Sequence, residues 1–360
     1  MVYLGELNHV RTIHPVLDEL KSEDIILVPF RADIKAELRK LGRSYVEGEA
    51  FIPISSLGTD DFLPIALQRI VDKLEPKLLI AMNPSFEPIA GRTGIPSLMI
   101  RHGMLMDHPA HLHKLQNTHV ACLGNHDQDL LHEKSGIPMD RLHITGFSRF
   151  DHISCSQQFS KAEIIKKYGL DPSHKHILLV TQPHQNPWDL TKEEADHLVD
   201  AMLSGTVKLV NEGLPVQLLI KTHPRENPSF YFDPILEYKL DVKVFHDQVS
   251  SIQELICISD VVVTVSSTAG LEALLLDKPL VTINFSSDPE PIPFQTKGGS
   301  LGVNSEQDLV PTLKRALAGE QGPDVEGFIN LTLHKQDGRS SERIAKLIRS
   351  LAEAKNNVGQ

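Results

Sequence analysis

The chain has 360 residues, a formal net charge of −11 and a hydrophobic content of 41%, which is enough apolar material for two domains of ordinary size. The acidic balance argues against a protein that binds nucleic acid by neutralising phosphates, and against adsorption to an anionic membrane by bulk charge. The start does not resemble a signal peptide and no apolar run reaches the ~18 residues that span a bilayer, so we expect a cytoplasmic protein, with peripheral association at the inner face of the membrane as an open alternative.

Short apolar runs alternate with amphipathic stretches through the first half of the chain, which is typical of βα units and a parallel sheet. The strand candidates are MVYLGEL, DIILVPF, SYVEGEAFI, KLLIAMN, PSLMIRHG and HVACLG. The helix candidates between them are ADIKAELRKLG and DDFLPIALQRIVDKLEP. RLHITGFSRFDHISCSQQFS predicts a last short strand followed by a polar connection.

The second half of the chain restarts the same alternation. Its strand candidates are HKHILLVTQ, PVQLLIKTHP, DVKVFHD, DVVVTVSS and PLVTINF, and TKEEADHLVDAMLSGTVKLVNEG is its longest helix candidate. Ser251 and Glu254 have the spacing of a capping box, and SSERIAKLIRSLAEAK is an amphipathic helix near the end. We predict two doubly wound α/β domains that face each other across a cleft. Their expected ranges are 1–155, 156–335, and a C-terminal helix in 336–360 that packs back on the first domain.

In doubly wound sheets, ligands bind beyond the carboxyl ends of the strands, so the residues that follow each strand are the site candidates. Ser266, Ser267 and Thr268 lie between an apolar strand and a predicted helix, where backbone amides and hydroxyls suit a phosphate or diphosphate. A plain helix cap is the alternative. Glu272 lies four residues after Thr268 and is therefore not the usual capping-box partner. It is a candidate acceptor for ribose hydroxyls, with simple complementarity to the helix dipole as the alternative.

The segment LLIKTHPRE places three potential cations, Lys221, His223 and Arg225, within five residues of the chain. Pro224 favours an extended conformation for His223, which holds its ring beyond the end of the strand. An anionic ligand would explain this arrangement, and a solvated loop is the alternative. Further candidates follow other strands of the same half: Thr181, Gln182 and His246.

In the first half, His102 follows a strand in MIRHGML, and Gly103 allows the backbone to turn tightly. A histidine there can act as a general base or as a hydrogen-bond donor to phosphate, whereas a histidine satisfied by neighbouring backbone is the alternative. Glu6 and His9 follow the first strand and are the next candidates for the base.

Several known signatures are missing from the sequence. It has no GxGxxG after the first strand, no GxxxxGK[ST] and no GxSxG, which argues against a nicotinamide or flavin enzyme, a P-loop NTPase and an α/β-hydrolase. His108, His111 and His113 in DHPAHLHK suggest a metal, but Pro109 interrupts any helix that would align them, and we expect a solvated loop. We expect neither a metal nor an organic cofactor.

The phrases RHG, KTHPRE and SSTAGLEALLLDKP together resemble the GT-B glycosyltransferase superfamily. More narrowly, they resemble the branch of CDP-glycerol glycerophosphotransferases, capsule-type transferases and UDP-N-acetylglucosamine 2-epimerases. RLHITGFSRFDHI resembles the end of the first domain of that branch, and DGRSSERIAKLI resembles its C-terminal helix.

This resemblance implies an enzyme that moves a sugar or polyol-phosphate unit from a nucleotide-activated donor to a hydroxyl of a glycan or lipid-linked acceptor, in surface polysaccharide assembly. It implies that His223 contacts the phosphates or the nucleotide of the donor, that Ser266 to Thr268 bind the diphosphate, that Glu272 binds the ribose, and that His102 lies at the reacting centre. One alternative is a nucleotide-sugar 2-epimerase, although VSSTAGLEAL stands where epimerases carry a DSGGxQEE-like phrase. The other is a two-lobed protein that binds a nucleotide or sugar without chemistry.

Overall fold

The computed structural model describes residues 1–52, 62–107, 112–153, 160–184, 190–246, 250–286 and 288–354. The chain divides into two compact units. The first unit combines Met1–His152 with Leu331–Gln360, and the second is Ile153–Asn330. The boundaries expected after residues 155 and 335 lie three and five residues further along the chain.

The first unit contains six parallel strands in the order β2-β1-β3-β4-β5-β6. The strands are β1 (Val2–Leu4), β2 (Leu27–Pro29), β3 (Leu79–Ala81), β4 (Ser97–Ile100), β5 (Thr118–Cys122) and β6 (Leu142–Ile144). The strand predicted for SYVEGEAFI is wrong: Gly48–Phe51 is a 3₁₀ turn. Glu47 and Glu49 interrupt the apolar pattern there, and both carboxylates pair with Lys35 at the surface.

Helices cover both faces of this first sheet. They are α1 (Leu7–Glu19), α2 (Ala32–Lys40), α3 (Phe62–Leu74), α4 (Glu87–Thr93) and α5 (Asn125–Ser135). Side chains alternate along the strands, as a sheet buried on both faces requires. In β1, Val2 and Leu4 pack in the same cluster as α1, whereas Tyr3 packs in the cluster that contains Ile70 of α3.

The second unit also has a six-stranded parallel sheet, in the order β12-β11-β10-β7-β8-β9. The strands are β7 (Lys175–Val180), β8 (Val216–Lys221), β9 (Val242–Phe245), β10 (Val261–Thr264), β11 (Leu280–Ile283) and β12 (Leu301–Val303). The helices that accompany it are α6 (Lys161–Tyr168), α7 (Lys192–Asn211), α8 (Phe232–Tyr238), α9 (Ile252–Ile258), α10 (Ala269–Leu275), α11 (Glu306–Leu317) and α12 (Val325–Thr332), the last of which runs across the second boundary.

Helix capping in the second unit differs from the sequence prediction. The capping box forms at the start of α7, where Thr191 and Glu194 bond each other's backbone. Ser251 precedes α9 without a side-chain cap, so the capping box predicted there is wrong. Glu254 bonds instead to Lys167 and Tyr168. A long-range contact therefore overrides the local pattern.

The chain returns to the first unit for its last helix, α13 (Ser340–Ala354), whose residues Ile344 and Ile348 share a buried cluster with Ile13 of α1. Asp151 anchors the start of this helix, because its two carboxylate oxygens accept the backbone N–H groups of Ser340 (2.8 Å) and Ser341 (2.7 Å). The two phrases that end the first domain and open the last helix therefore contact each other.

Gly146 allows this close contact between the two phrases. Its φ is +84°, and a Cβ there would lie 2.5 Å from Ser340 Oγ. Arg343 of α13 completes the contact by donating from Nε to the Thr145 carbonyl at 2.7 Å. Within the described parts of the chain, no helix combines the length and the apolar character needed to cross a membrane.

Candidate functional site

Each sheet has one point where the strand order reverses, and such points are where doubly wound folds bind ligands. In the first unit the reversal lies between β1 and β3, and in the second it lies between β7 and β10. The residues that follow these strands are therefore placed to meet a ligand. Some sequence candidates follow these strands, and the others follow β4, β8 and β9 of the same two sheets.

Glu6, His9 and His102 come together in the first unit. Glu6 is the exposed residue that precedes α1, His9 is buried in the first turn of that helix, and His102 lies two residues beyond β4. The two imidazole rings meet edge to face, with centroids 4.8 Å apart and planes at 61°. One ligand-type atom from each of the three side chains lies within 4.8 Å of the other two. The structure thus brings all three catalytic candidates to one place.

Backbone contacts determine the tautomer of each ring. The Gly5 N–H donates to Nδ1 of His9 at 3.1 Å, so the hydrogen of a neutral His9 is on Nε2. His102 has the opposite arrangement: its Nδ1 lies 3.1 Å from the Met82 carbonyl oxygen. That oxygen can only accept, so His102 Nδ1 donates and the lone pair of the neutral ring is on Nε2. His9 is therefore a hydrogen-bond donor, and His102 is the ring that can take up a proton.

Burial and the neighbouring His102 lower the pKa of His9 to about 3, which keeps that ring neutral near pH 7. His9 donates a hydrogen bond and the neighbouring His102 accepts one. Together the two rings can hold the hydroxyl of a substrate in one orientation. Of the two histidines, only His102 carries its lone pair on Nε2, where it can take up a proton. This tautomer favours His102 over His9 as the general base.

The same three side chains are also of the types that bind metal ions. A metal ion on Nε2 of His9 would require that atom's lone pair, but the Gly5 N–H already bonds Nδ1, which places the hydrogen on Nε2. The donor set therefore does not fit a metal without loss of the Gly5 bond. Of the histidines in DHPAHLHK, His108 and His111 lie outside the described residues. His113 is half-buried, and its pKa is lowered by burial and by Arg101.

In the second unit the candidates follow four neighbouring strands. Thr181 and Gln182 follow β7, His223 follows β8, His246 follows β9 and Ser266 follows β10. Since carboxyl ends of parallel strands meet at one edge of a sheet, these residues line the same edge.

The turn after β8 orients His223. Pro224 and Arg225 form its middle, and Glu226 N–H closes it onto the His223 carbonyl at 2.9 Å. The Arg225 N–H donates to Nδ1 of His223 at 3.1 Å, so the hydrogen of a neutral His223 is on Nε2. His223 is therefore a hydrogen-bond donor, as an anionic ligand requires.

The other two potential cations of this segment differ in their surroundings. Lys221 is buried at the end of β8, where its Nζ donates to the Thr222 carbonyl at 3.2 Å, whereas Arg225 is exposed. The sequence suggested that the three cations act together, but in the structure Lys221 is buried and Arg225 is exposed. His223 remains the candidate with a defined orientation.

The serine cluster after β10 is more self-contained than the sequence suggested. Gln182 and Ser266 exchange hydrogen bonds, at 2.8 Å from Gln182 Nε2 to Ser266 Oγ and at 3.1 Å from Ser266 Oγ to Gln182 Oε1. Ser267 Oγ accepts the Ala269 N–H at 3.2 Å, and the Gly270 N–H bonds the Ser267 carbonyl at 2.9 Å.

The first amides of α10 are therefore engaged within the turn, contrary to the expectation of free amides, and α10 has only seven residues. The hydroxyl of Ser267 accepts the Ala269 N–H, so its own hydrogen can donate to a ligand. Ser267 thus both caps the turn and offers a hydroxyl donor. Glu272, one turn into α10, is 2% exposed.

Glu226, the last residue of LLIKTHPRE, is not among the candidates that the sequence suggests. Its carboxylate accepts the hydroxyls of Thr181 and Tyr231 and the backbone N–H of His223, the last at 2.7 Å. The hydroxyl hydrogen of Thr181 is committed to this bond, so Thr181 supports the site rather than donating to a ligand. An acidic residue immediately after a His-Pro turn was the only signal for Glu226 in the sequence, and acids are common in solvated loops.

Comparison with known proteins adds to this geometry. A family model described as CDP-Glycerol:Poly(glycerophosphate) glycerophosphotransferase matches residues 113–350. No curated protein matches the sequence significantly.

Several solved structures share the fold. UDP-GlcNAc 2-epimerase from Neisseria meningitidis, bound to UDP-GlcNAc, is 12% identical with a TM-score of 0.67, over 97% of this chain and 99% of that chain. MnaA from S. aureus, in a co-structure with UDP, is 16% identical with a TM-score of 0.68, over 97% and 95%. The wall teichoic acid polymerase TagF, as a His-to-Asn variant soaked with CDPG, is 11% identical with a TM-score of 0.61, over 99% and 90%. These similarities confirm the predicted α/β class, a GT-B protein with two Rossmann-like units.

Proposed function

The chain belongs to the CDP-glycerol:poly(glycerophosphate) glycerophosphotransferase family, and on that premise we propose that it transfers a glycerophosphate unit from CDP-glycerol to a hydroxyl of a surface polymer. Membership of the family makes it a transferase that uses a nucleotide-activated donor in cell-wall polymer synthesis. The choice of a cytidine donor is supported by the family description and by the CDPG soaked into TagF.

The reaction we propose is a single displacement at phosphorus. The acceptor hydroxyl gives its proton to Nε2 of His102, and its oxygen forms a bond to the phosphorus that carries glycerol. The bond between that phosphorus and the bridging oxygen breaks, and CMP leaves with the electron pair. The product is a new phosphodiester on the acceptor, and the proton on His102 returns to solvent.

The observation that carries this proposal is the bond between His102 Nδ1 and the Met82 carbonyl. It places the lone pair of the neutral ring on Nε2, and a general base takes up its proton on such a lone pair. His9 supports the same step as a neutral donor that orients the acceptor oxygen, because its hydrogen is on Nε2. Glu6 offers an exposed carboxylate beside the pair for the returning proton.

In the second unit, the proposed donor site uses His223, Ser267 and Glu272. His223 Nε2–H and the Ser267 hydroxyl donate to the phosphate oxygens, where negative charge grows as CMP departs. Glu272 accepts the ribose hydroxyls. Thr181 Oγ1 accepts from the His223 N–H at 3.3 Å, and the Gln182 side chain bonds Ser266, the neighbour of Ser267 in the chain. Lys221 and Arg225 contribute positive charge around the same edge.

We further propose that the transfer needs no metal ion, because the three metal-type ligands of the first unit do not fit one with their present hydrogen bonds. Dialysis against EDTA should leave the rate of transfer unchanged. A loss of activity that Mg²⁺ or Mn²⁺ restores would contradict this part of the proposal.

The test of the function is an assay with purified protein, CDP-glycerol and a glycerophosphate-primed acceptor, in which CMP release and acceptor elongation are both measured. His102→Asn is the matched variant, since it removes the base but preserves much of the shape. We expect elongation by the wild type and a loss on the order of 10²–10⁴-fold in the variant, with unchanged affinity for CDP-glycerol.

Two outcomes of this assay would contradict the proposal. Full activity in His102→Asn would remove that residue as the base. Conversion of UDP-GlcNAc by the protein alone, without an acceptor and without CMP release from CDP-glycerol, would replace the transferase by an epimerase.

A further inference from the structure

A buried carboxylate, Glu226, lies under the turn that carries His223. Its side chain is fully buried and the residue as a whole is 4% exposed. Burying a carboxylate costs free energy unless its oxygens are hydrogen-bonded. The hydrogen-bond partners of Glu226 therefore indicate its role.

The partners of Glu226 come from separate segments of the second unit. Oε2 accepts the His223 backbone N–H at 2.7 Å and the hydroxyl of Thr181, which directly follows β7. Oε1 accepts the hydroxyl of Tyr231, in the 3₁₀ turn Pro228–Tyr231. His184 Nδ1 lies 3.6 Å from the same oxygen. One carboxylate thus joins the ends of two neighbouring strands and the turn that follows.

The donors to this carboxylate keep their hydrogens. Burial, with Glu226 as a second cause, raises the pKa of Tyr231, so its hydroxyl remains protonated and can donate. The backbone N–H of His223 cannot ionise. Both oxygens of Glu226 therefore act as acceptors, which is the role of a carboxylate rather than of a carboxylic acid.

His223 is held to Glu226 at both of its backbone groups. Its N–H donates to Oε2, and its carbonyl accepts the Glu226 N–H at 2.9 Å. Its ring is held by the Arg225 N–H on Nδ1, which lies within the same turn. If the side chain of Glu226 were withdrawn, the His223 N–H would lose its closer acceptor and keep Thr181 Oγ1 at 3.3 Å, and the turn that sets the ring tautomer would lose one of its supports.

We propose that Glu226 is a positioning residue for the donor's diphosphate: it fixes the turn so that Nε2–H of His223 points at the phosphate oxygens. This inference rests on the proposed function, since it assigns Glu226 to the donor site of that reaction. Glu226 acts through His223 and does not touch the substrate. Because the His223 N–H is one of the donors that Glu226 satisfies, the carboxylate is tied directly to the turn that orients the His223 ring.

The first test is a double-mutant cycle with Glu226→Gln and His223→Ala, read by the dissociation constant for CDP-glycerol and by kcat. Glutamine keeps the size of the side chain but replaces one acceptor oxygen by a donor. We expect Glu226→Gln to weaken binding by on the order of tenfold, as expected for hydrogen bonds to a charged group. In the His223→Ala background the same change should weaken binding little further, because Glu226 acts through the His223 side chain, which this variant lacks.

Matched variants separate positioning from general stability. Tyr231→Phe removes a donor to the same carboxylate but leaves the His223 contacts intact, so it should lower the melting temperature and affect binding less than Glu226→Gln. If Glu226→Gln does not fold, Glu226→Asp keeps the charge but withdraws it from the turn, and an intermediate loss of binding is expected. Effects of Glu226→Gln and His223→Ala that simply add would overturn the inference.

The second test needs no nucleotide and keeps the inference separate from the function. Nitrogen-15 NMR of the imidazoles in the free protein reports the His223 tautomer, which we expect to be Nε2–H in the wild type and mixed in Glu226→Gln. An unchanged tautomer in the variant would overturn the inference. A wild type that binds neither CDP-glycerol, CDP nor UDP, but shows the tautomer change, would overturn the proposed function alone.

Discussion

Two backbone groups determine what the paired histidines of the first unit can do. Gly5 donates to His9, and Met82 accepts from His102, so two rings with centroids 4.8 Å apart carry their hydrogens on different nitrogens. The sequence could place both histidines after strands, but it could not distinguish the donor from the acceptor. That difference depends on backbone groups whose positions only the folded chain defines.

Because His9 is neutral in the folded protein, the free energy of unfolding should depend on pH in a definite direction. The ordinary pKa of 6.5 applies to the unfolded chain, and burial lowers the folded value to about 3. Between these values the unfolded state binds a proton that the folded state does not, so stability falls as the pH is lowered from 6.5 towards 3. Above pH 6.5 this contribution disappears, because the ring is neutral in both states.

His9→Asn removes the titrating ring, so urea unfolding at pH 7.5, 6.0 and 5.0 should show a shallower loss of stability in the variant. The difference in slope should be at most about 1.4 kcal/mol per pH unit. Parallel pH profiles for the two proteins would mean that His9 does not stay neutral in the folded state.

The proposed role of Glu272 makes a prediction about the sugar of the nucleotide. If the carboxylate accepts ribose hydroxyls, the wild type should bind CDP more tightly than 2′-deoxy-CDP, by on the order of tenfold. Glu272→Ala should weaken CDP binding and remove that preference. Calorimetry with the two nucleotides measures both effects, and a variant that still prefers CDP would exclude Glu272 from the ribose contact.

At the scale of elements, the anchoring of α13 depends on one carboxylate. Asp151 accepts two backbone N–H groups at the start of the helix, where the amides have no partner within the helix. Asp151→Ala should reduce the free energy of unfolding by about 1–2 kcal/mol, the usual effect of losing a helix cap.

The matched control for this prediction is Glu342→Ala, which removes an exposed acid from the first turn of the same helix and breaks its surface pair with Arg339. Its effect should stay below about 1 kcal/mol. Chemical denaturation of both variants provides the comparison. Equal effects would show that Asp151 does not anchor the helix.

The alternation of apolar runs predicted most elements because buried parallel strands need continuous apolar sequence. β12 was missed because Gly302 stands at its centre and interrupts the apolar run that marks the other strands. The capping box at Ser251 failed because Glu254 is bound to Lys167, 87 residues away. Short interrupted elements and contacts between distant residues leave little trace in the local sequence pattern. The role of Glu226 was missed because it depends on such long-range contacts.

At the scale of the whole molecule, the proposed donor site belongs to one continuous stretch of chain. His223, Ser267 and Glu272 all lie within Ile153–Asn330, a unit whose core packs α7 and α11 against its own sheet. The fragment 153–330 should therefore fold alone and bind CDP with an affinity comparable to that of the full chain, but it should not transfer glycerophosphate, because His102 is absent.

Circular dichroism and calorimetry on this fragment check the prediction, and Glu272→Ala in the same fragment is its control. A folded fragment that does not bind CDP would show that the first unit contributes to nucleotide binding.

The pairing of α1 with α13 has a consequence for how the protein is made. Roughly 320 residues separate the two helices along the chain. At about 5–20 residues per second, a ribosome finishes α1 tens of seconds before α13 emerges. The whole second unit is synthesised in that interval, so the unit that begins first is completed last. We expect released chains truncated after residue 335 to be cleaved by protease in the first unit and protected in the second.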